Sequence, residues 1–444
     1  MLLSSLSVEL IQEIAGHLET PAQVALRATC STFCAALDPF VFSNLTVFVG
    51  RSTLERDLSR LRKLPAGSTP YSQYARNLYI KEVTPFFWSS GSENADSEVE
   101  EEKELWRTGL QEALRPALNG LDGVQTGRWA GSSLDPEWVV DVVVDALAKW
   151  QLRELVYESG MTETLPKLDR ISGAALTRLS ISVPSKPDLD ASLVALLRHS
   201  PKLVSLTLSA PADLDLDTVW RALQSNYVQL AELTVTAVSL ALCDYLTSYT
   251  GLERLVLLGV DASETSRQLA GQFFERVLQH QSASLVELRV APHYTSAWSF
   301  GTHNVDALSS LVKLETLEIA VDPEYDDARL TKDIALLFDT VAHLPVLRTL
   351  EVETTMDECY RGQLMCGNGM MGHFKAVERR MRAAVAGYRY RGDQKFHATR
   401  LLHGRCFRMA EAEDGDGWVY VQFAGTRRLP KEELCEDDDS DVDY

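Results

Sequence analysis

Residues 176–181 read Leu176-Thr177-Arg178-Leu179-Ser180-Ile181, and residues 203–208 repeat the pattern as Leu203-Val204-Ser205-Leu206-Thr207-Leu208. Apolar residues stand at positions i, i+3 and i+5 of each stretch, and the last four residues alternate as in a β-strand. The pattern starts at Phe42, Ala75, Leu152, Leu176, Leu203, Leu230, Leu252, Leu285, Leu314 and Leu347. From residue 152 onward the starts are 22 to 33 residues apart. A period of this length predicts a repeat architecture.

The segments between these strands carry an apolar stripe at helical spacing, and several begin with Asp or Ser as a helix cap does. We predict helices over 190–199, 217–226, 240–249, 266–281 and 332–343. A short strand followed by a returning helix resembles the leucine-rich repeat. The resemblance implies an α/β solenoid, shaped as a horseshoe, with one parallel strand in each unit.

Two departures from regular leucine-rich repeats predict an irregular solenoid. The Asn or Cys that usually follows the strand is missing from nearly every unit, and the unit length varies. A doubly wound α/β sheet is the competing architecture, since alternation of strands and helices allows both. A doubly wound sheet typically has a Gly-rich, phosphate-binding turn after a strand, and the sequence contains no such turn.

The first 47 residues predict two short amphipathic helices, a Phe-rich exit and one strand. Leu10, Ile11 and Ile14 recur at helical spacing, and Pro21 opens a second helix after Thr20 as its cap. A unit this short cannot bury so many apolar side chains alone. Some of them must therefore contact the rest of the chain or another protein.

Residues 6–18 and 25–33 resemble the two conserved stretches of an F-box, with Phe40 at the position of a family aromatic. Ser7 stands where the family usually has Pro. The resemblance implies docking on a Skp adaptor, and through it on a cullin. The implied adaptor-binding residues are Leu6, Val8, Leu10, Ile11, Ile14, Leu18, Pro21, Leu26, Phe33 and Phe40. The sequence does not separate those in the core from those at the interface.

Four segments follow from these patterns: an F-box at 1–47, a solenoid at 48–355, a basic C-terminal cap at 356–431 and an acidic tail at 432–444. The solenoid holds an insertion at about 85–150, with an acidic run at 93–104 and helices at 105–118 and 136–150. The cap is predicted to contain a helix near 372–386 and strands at 399–409 and 418–423. An Asp-Gly turn between the strands favours a hairpin.

The formal net charge is −20, and the runs 93–104 and 432–444 carry most of it. Like charges at this density repel and remain solvated, so we expect both runs to be disordered. An acidic chain is poorly suited to phosphate backbones, so we expect no nucleic acid partner. No apolar run approaches the ~20 residues that span a membrane. Seven irregularly spaced cysteines argue against a secreted disulfide framework, and we expect a cytoplasmic and/or nuclear protein.

We find no nucleotide-binding, hydrolase or metalloprotease motif, and we expect no cofactor, no metal and no catalytic activity. The resemblance implies a substrate-recognition subunit of a Skp–cullin–F-box ubiquitin ligase, which holds a target protein on solvent-facing strand positions. The candidate positions are Arg178, Thr207, Thr234, Arg254, Arg289, Glu318 and Arg348. Two rival classes remain: a repeat scaffold whose N-terminal helices only cap the solenoid, and an adaptor-bound F-box protein that acts outside ubiquitin transfer. An enzyme is the weakest alternative.

Overall fold

The computed structural model describes residues 6–65, 67, 69–87, 93–160, 166–182, 190–211, 214–260, 264–323, 327–356, 368–391, 399–401, 405–424 and 427–428. The chain forms two compact units. The first consists of Met1–Pro211 and Ser225–Val228, and the second of Ala212–Gln224 and Gln229–Tyr444.

The first unit opens with three helices, where the sequence predicted two helices and an exit. They are α1 (Val8–Gly16), α2 (Thr20–Arg27) and α3 (Ser31–Val41). The predicted exit is wrong because α3 continues through Pro39, a residue that normally argues against a helix interior. Both α1 and α2 pack against α3 around a small core of Ile11, Ala15, Phe33, Ala36 and Leu37.

A parallel sheet of six strands follows in the first unit. The strands are β1 (Asn44–Val47), β2 (Asn77–Ile80), β3 (Thr126–Gly131), β4 (Glu154–Ser159), β5 (Arg178–Ser182) and β6 (Ser205–Ser209). Each strand pairs in parallel with the next along the chain. Every strand begins two residues after the first apolar residue of its repeat pattern, which for β3 is Val124. The i+3 leucines meet in register, as Leu155, Leu179 and Leu206 do. These three are at most 2 % exposed, so the pattern marks the core side of the sheet.

Strand β3 was missed by the sequence analysis, which treated its region as an insertion. Val124, Gly127 and Trp129 hold the i, i+3 and i+5 positions, and Gly127 pairs with Leu78 and Leu155. A glycine at the position where the other strands carry leucine concealed the pattern. The region is therefore part of the repeat array, with a strand of its own between two helices.

The helices of the first unit include one that corrects a prediction. They are α4 (Leu54–Lys63), α5 (Pro70–Tyr74), α6 (Glu93–Asn119), α7 (Glu137–Lys149) and α8 (Asp190–Arg198), with 3₁₀ turns at Arg51–Thr53 and Leu168–Arg170. The acidic run 93–104 lies in α6, so the expectation of disorder there is wrong. Helix α6 packs on α4, and Arg51 donates to Glu102 at 2.7 Å. Pairing of this kind offsets part of the repulsion within the run.

The second unit repeats the same topology. Its parallel strands are β7 (Glu232–Val235), β8 (Arg254–Leu257), β9 (Glu287–Val290), β10 (Thr316–Val321) and β11 (Thr349–Thr354). The helices that follow β6 along the chain are α9 (Asp217–Ser225), α10 (Leu240–Leu246), α11 (Glu264–Gln272), α12 (Gln279–Gln281), α13 (Val305–Ser309) and α14 (Asp327–Val341). A π-helical turn, Phe273–Leu278, joins α11 to α12. Among the parallel strands of each unit the order follows the chain without reversal, which excludes a doubly wound sheet there.

The C-terminal region contains helix α15 (Asn368–Gly387) and strands β12 (Arg389–Tyr390), β13 (Thr399–Leu401), β14 (Arg405–Glu411), β15 (Trp418–Ala424) and β16 (Arg427–Arg428). The predicted helix and the hairpin of β14 with β15 are confirmed. Gly415 and Gly417 have φ values of 72° and 94° in the hairpin turn. The predicted strand 399–409 is instead two strands: β13 pairs in parallel with β11 and antiparallel with β14. The acidic tail 432–444 lies outside the described residues.

Among the described helices, we find none that is both long enough and apolar enough to cross a bilayer.

Candidate docking surface on the N-terminal helices

Helix α1 is held at both ends by polar side chains. The Ser7 hydroxyl caps the helix by accepting from the Leu10 amide at 3.5 Å. At the other end, Gln23 Nε2 of α2 donates to the carbonyls of Ala15 and Leu18 at 2.9 and 3.0 Å. Ser7 therefore serves as a helix cap at the position where the F-box family has Pro.

The ten candidate adaptor-binding residues separate into three groups by exposure. Ile11 and Phe33 are buried, at 2 % and 8 % exposed. Half-buried members are Leu6, Leu18, Leu26 and Phe40, and exposed members are Val8, Leu10, Ile14 and Pro21. Buried side chains cannot contact a partner in this conformation, so Ile11 and Phe33 support the surface from beneath.

Four apolar side chains form the exposed set, which we call the docking surface: Val8, Leu10, Ile14 and Val24. They are 45 %, 49 %, 44 % and 47 % exposed. Leu10 and Ile14 are four residues apart and share one face of α1, whereas Ile11 and Ala15 share the adjacent face that packs on α3. Val24, on α2, was missing from the sequence-predicted set. Its spacing of three residues from Pro21 was the available signal.

Contacts between the helices fix the docking surface relative to α3. Gln12 Nε2 donates to the Ala36 carbonyl at 3.2 Å, and Arg27 Nε donates to Asp38 Oδ1 at 2.5 Å. The Arg27 guanidinium also lies 4.9 Å from the centre of the Phe42 ring. These contacts make the three helices one packed module with an apolar side exposed to solvent.

The module is attached to the first repeat. The rings of Phe42 and Tyr71 meet edge to face at a centroid distance of 4.9 Å. The Ser43 carbonyl accepts from the backbone amides of Arg76 and Asn77, each at 2.9 Å. The end of α3 therefore runs directly into β1 and the hydrogen bonds that lead to β2.

The candidate target-binding residues lie mainly on the strand face. In the first unit, Arg178 is exposed and Thr207 is half-buried, one strand apart. In the second unit, one row across four neighbouring strands contains three candidates. The residues in this row are Thr234, Val256, Arg289 and Glu318, in strand order. Arg348 is an exception: it precedes β11 and pairs with Glu315 at 3.1 Å, so its assignment to a strand position is wrong.

Three of the strand-face candidates are joined in a chain of ion pairs. Arg254 Nε donates to Glu287 Oε2 at 2.9 Å, and Arg289 donates to both Glu287 and Glu318 at 2.5 and 3.0 Å. Burial raises the pKa of Glu318, Arg289 opposes that shift and the neighbouring Glu351 adds to it. A target that used these side chains would have to replace existing partners.

Across the part of the chain that is described, no group of three or more His, Cys, Asp or Glu side chains is placed to hold a metal ion. The exposed apolar surface on α1 and α2 offers contact area for a partner protein.

Comparisons with known proteins add little to this geometry. No family model matches the chain, and no curated protein matches it. Among solved structures, the crystal structure of the Rad7 and Elc1 complex in yeast matches over 84 % of this chain and 99 % of that chain, at 13 % identity and a TM-score of 0.37. Similarity at this level is too low to indicate a shared fold or function.

Proposed function

We propose that this chain is the substrate-recognition subunit of a Skp–cullin–F-box ubiquitin ligase, acting in the cytoplasm and/or nucleus. The docking surface binds the Skp adaptor, and the adaptor links the chain to a cullin. The repeat surface binds a target protein.

The exposure of Val8, Leu10, Ile14 and Val24 is the observation that carries the proposal. Large apolar side chains stay exposed on the two helices whose sequence resembles an F-box, while their own core is filled by Ile11 and Phe33. Exposed apolar side chains that share a helix face, as Leu10 and Ile14 do, suit a protein interaction site. A stable interface buries on the order of 1,600 Å² in total, with a few anchoring residues dominating the binding free energy.

The mechanism would be proximity. The receptor holds a target lysine near the ubiquitin-loading enzyme and raises its effective concentration, as tethering does in any linked pair of binding sites. The receptor contributes no reacting group, and the rate enhancement comes from proximity and orientation.

Co-expression with the Skp adaptor, followed by affinity pulldown and size-exclusion chromatography, tests the proposal. We expect a one-to-one complex with the wild-type chain and none with Leu10→Asp combined with Ile14→Asp. Val204→Asp combined with Val312→Asp is the matched control, because these valines are also exposed, at 44 % and 53 %, and lie in the repeats. Retained adaptor binding by the α1 variant would disprove the docking assignment.

A repeat scaffold without adaptor binding is the second candidate. The contact of Phe42 with Tyr71 and the hydrogen bonds to the Ser43 carbonyl favour it, because they join the helices to the first repeat as a cap would be joined. Deletion of residues 1–40 distinguishes the two. A scaffold cap predicts loss of the folded repeats, whereas a docking module predicts loss of adaptor binding from a folded body.

A cullin pulldown separates the remaining alternative. An F-box protein that acts outside ubiquitin transfer would bind the adaptor but would not bring the cullin with it.

A further inference from the structure

A groove of about 840 Å³ lies at the strand-entry edge of the sheet in the first unit. The turns that lead into β2, β3, β4, β5 and β6 line it. Its charged lining residues are Arg76, Asp122, Lys149, Arg153 and Lys202. Four of these five are basic, on a chain whose net charge is −20. The lining of the groove is therefore net positive, although the chain as a whole is acidic.

A hydrogen-bonded column of backbone positions builds one wall of the groove. The Gln125 amide donates to the Arg76 carbonyl, the Arg153 amide to the Gln125 carbonyl and the Thr177 amide to the Arg153 carbonyl, each at 2.8 Å. Consecutive side chains in this column are about 4.8 Å apart, the spacing of paired strands. Arg76 and Arg153 are thus separated by about 10 Å along the edge.

Two of the basic side chains are held in place by the protein itself. Lys149 Nζ donates to the Asn119 carbonyl at 2.9 Å and to Asp122 Oδ1 at 2.8 Å. Arg76 Nη1 donates to the carbonyls of Ala75 and Gly123 at 3.2 and 3.4 Å. A side chain at Gly123 would collide with the Arg76 guanidinium, so the glycine lets the arginine lie against the backbone.

The other two basic side chains face solvent with their charge available. Arg153 and Lys202 are exposed, and within the described part of the chain neither has a side-chain hydrogen bond or an ion pair. Asp122 is the single acid in the lining, and Lys149 already pairs with it. The groove therefore presents positive charge that the surrounding residues do not neutralise.

We propose that this groove binds an acidic peptide segment of a partner protein in an extended conformation. From β2 to β6 the groove crosses four strand intervals, about 19 Å. An extended peptide rises about 3.3 Å per residue, so about six residues span that length. Carboxylate or phosphate groups on the peptide accept charge-assisted hydrogen bonds from Arg153 and Lys202.

The row-like placement of the basic groups favours a peptide over a compact anion. A single phosphate or a small polyanion contacts only groups that converge on one point, whereas Arg76, Arg153 and Lys202 follow the sheet edge. The aromatic residue of the lining, Trp150, is only 3 % exposed, whereas single-stranded nucleic acids stack on exposed aromatic rings. An acidic segment of a protein fits both observations.

This inference deepens the proposed function by naming the chemistry of a target, but it does not depend on adaptor docking. The purified full-length chain alone suffices for the test. Loss of adaptor binding and loss of peptide binding are therefore separate results.

Fluorescence anisotropy with labelled ten-residue peptides tests the groove. The probes are a glutamate-rich peptide, a serine-rich peptide and the same serine-rich peptide phosphorylated. We expect the glutamate-rich or phosphorylated probe to bind, with affinity falling as salt rises, and the unmodified serine probe not to bind. The two acidic arms distinguish a carboxylate source from a phosphate source.

Arg153→Glu combined with Lys202→Glu should weaken binding by at least about tenfold, since two charge-assisted contacts become repulsive. Lys81→Glu combined with Lys313→Glu is the control, because it makes the same change of charge at exposed lysines outside the groove. At a salt concentration that screens distant charges, its affinity for the peptide should stay within about twofold of the wild-type value. Arg153→Gln with Lys202→Gln serves as a milder pair, and thermal unfolding checks that each variant is folded.

Three outcomes would overturn the proposal. The first is no binding of either acidic probe by the wild-type chain. The second is an equal loss of affinity in the control variant. The third is displacement of the peptide by single-stranded DNA of matched charge at a lower concentration than unlabelled peptide, which would assign the groove to nucleic acid.

Discussion

Gln281 Nε2 donates a hydrogen bond to the backbone carbonyl of Leu246 at 2.7 Å. Gln281 is only 1 % exposed, and it belongs to the helix of the next repeat. The same nitrogen donates to the Tyr249 carbonyl at 2.7 Å. Gln281 Oε1 accepts from the amides of Gly251 and Leu252 at 3.2 and 3.1 Å. One side chain thus satisfies four backbone groups in the turn before β8. In a repeat that lacks the usual Asn or Cys, a buried glutamine meets part of the hydrogen-bonding need.

Gln281→Leu should destabilise the second unit by about 3 kcal/mol or more. Leucine leaves four backbone groups without this partner, three of them buried, and each buried unsatisfied group costs about 1–3 kcal/mol. Thermal and urea unfolding of the full-length chain measure the effect. Gln279→Leu, an exposed change two residues earlier, should alter stability by no more than about 0.5 kcal/mol. Equal stability of the two variants would contradict the role assigned to Gln281.

Leu10 and Ile11 are neighbours in sequence with opposite roles in structure. Ile11→Asp places a carboxylate in the core with Phe33 and should unfold the N-terminal helices, because a buried unpaired charge is costly. Leu10→Asp changes an exposed side chain and should leave them folded. Amide hydrogen exchange over residues 8–41 measures this difference. Loss of protection in both variants would show that Leu10 is also structural.

Gly127 is the glycine that stands in register with the core leucines of β2 and β4. A Cβ atom there would lie 2.9 Å from Leu147 Cδ2, and Leu147 is 1 % exposed. Gly127→Leu, which restores the repeat pattern, should therefore destabilise the first unit by about 1–3 kcal/mol through overpacking.

A compensating change makes the Gly127 prediction specific. Gly127→Leu combined with Leu147→Ala should be more stable than the sum of the two single changes predicts, because the alanine vacates the space that the new leucine needs. Additive losses in urea unfolding would mean that the two positions do not share this space.

Cys243 should resist alkylation in the folded chain. Burial raises the pKa of its thiol to about 12, and the neighbouring Asp244 adds to the shift. The thiolate is the reactive form, so at pH 8 the native protein exposes almost none of it at this position. Peptide mapping after iodoacetamide treatment should show modification of Cys30, which is exposed, and of Cys243 only in denaturant. Comparable rates at the two cysteines in native protein would refute this.

The repeat pattern alone located ten of the eleven parallel strands that β1 to β11 comprise. Leucines at i+3 and apolar residues at i+5 are core positions, and core positions recur because each strand must bury the same side. The pattern missed β3 because Gly127 carries no side chain to register in it. It also gave no warning that 93–104 is helical, since the stabilising partners of its acids, such as Arg51, come from an earlier part of the chain.

For the candidate sites, sequence identified the helices but not the surface. Spacing placed Leu10, Ile11 and Ile14 in one amphipathic helix, and the resemblance to an F-box suggested a partner. Only packing against α3 decided that Ile11 faces inward and that Leu10 and Ile14 face solvent. Packing also decided the partners of Arg254 and Arg289. Arg254 meets Glu287 and Arg289 meets Glu318, each on a neighbouring strand, so both pairs depend on strand register.

The sequence by itself determined where ten of the eleven strands β1 to β11 begin, because periodic burial of leucine is a local property of the chain. Tertiary structure decided which charges meet. Arg76, Arg153 and Lys202 are separated by 49 to 126 residues in the sequence, and parallel stacking of the repeats brings them to one groove. Their alignment follows from strand register, a property of the assembled sheet that no single repeat contains.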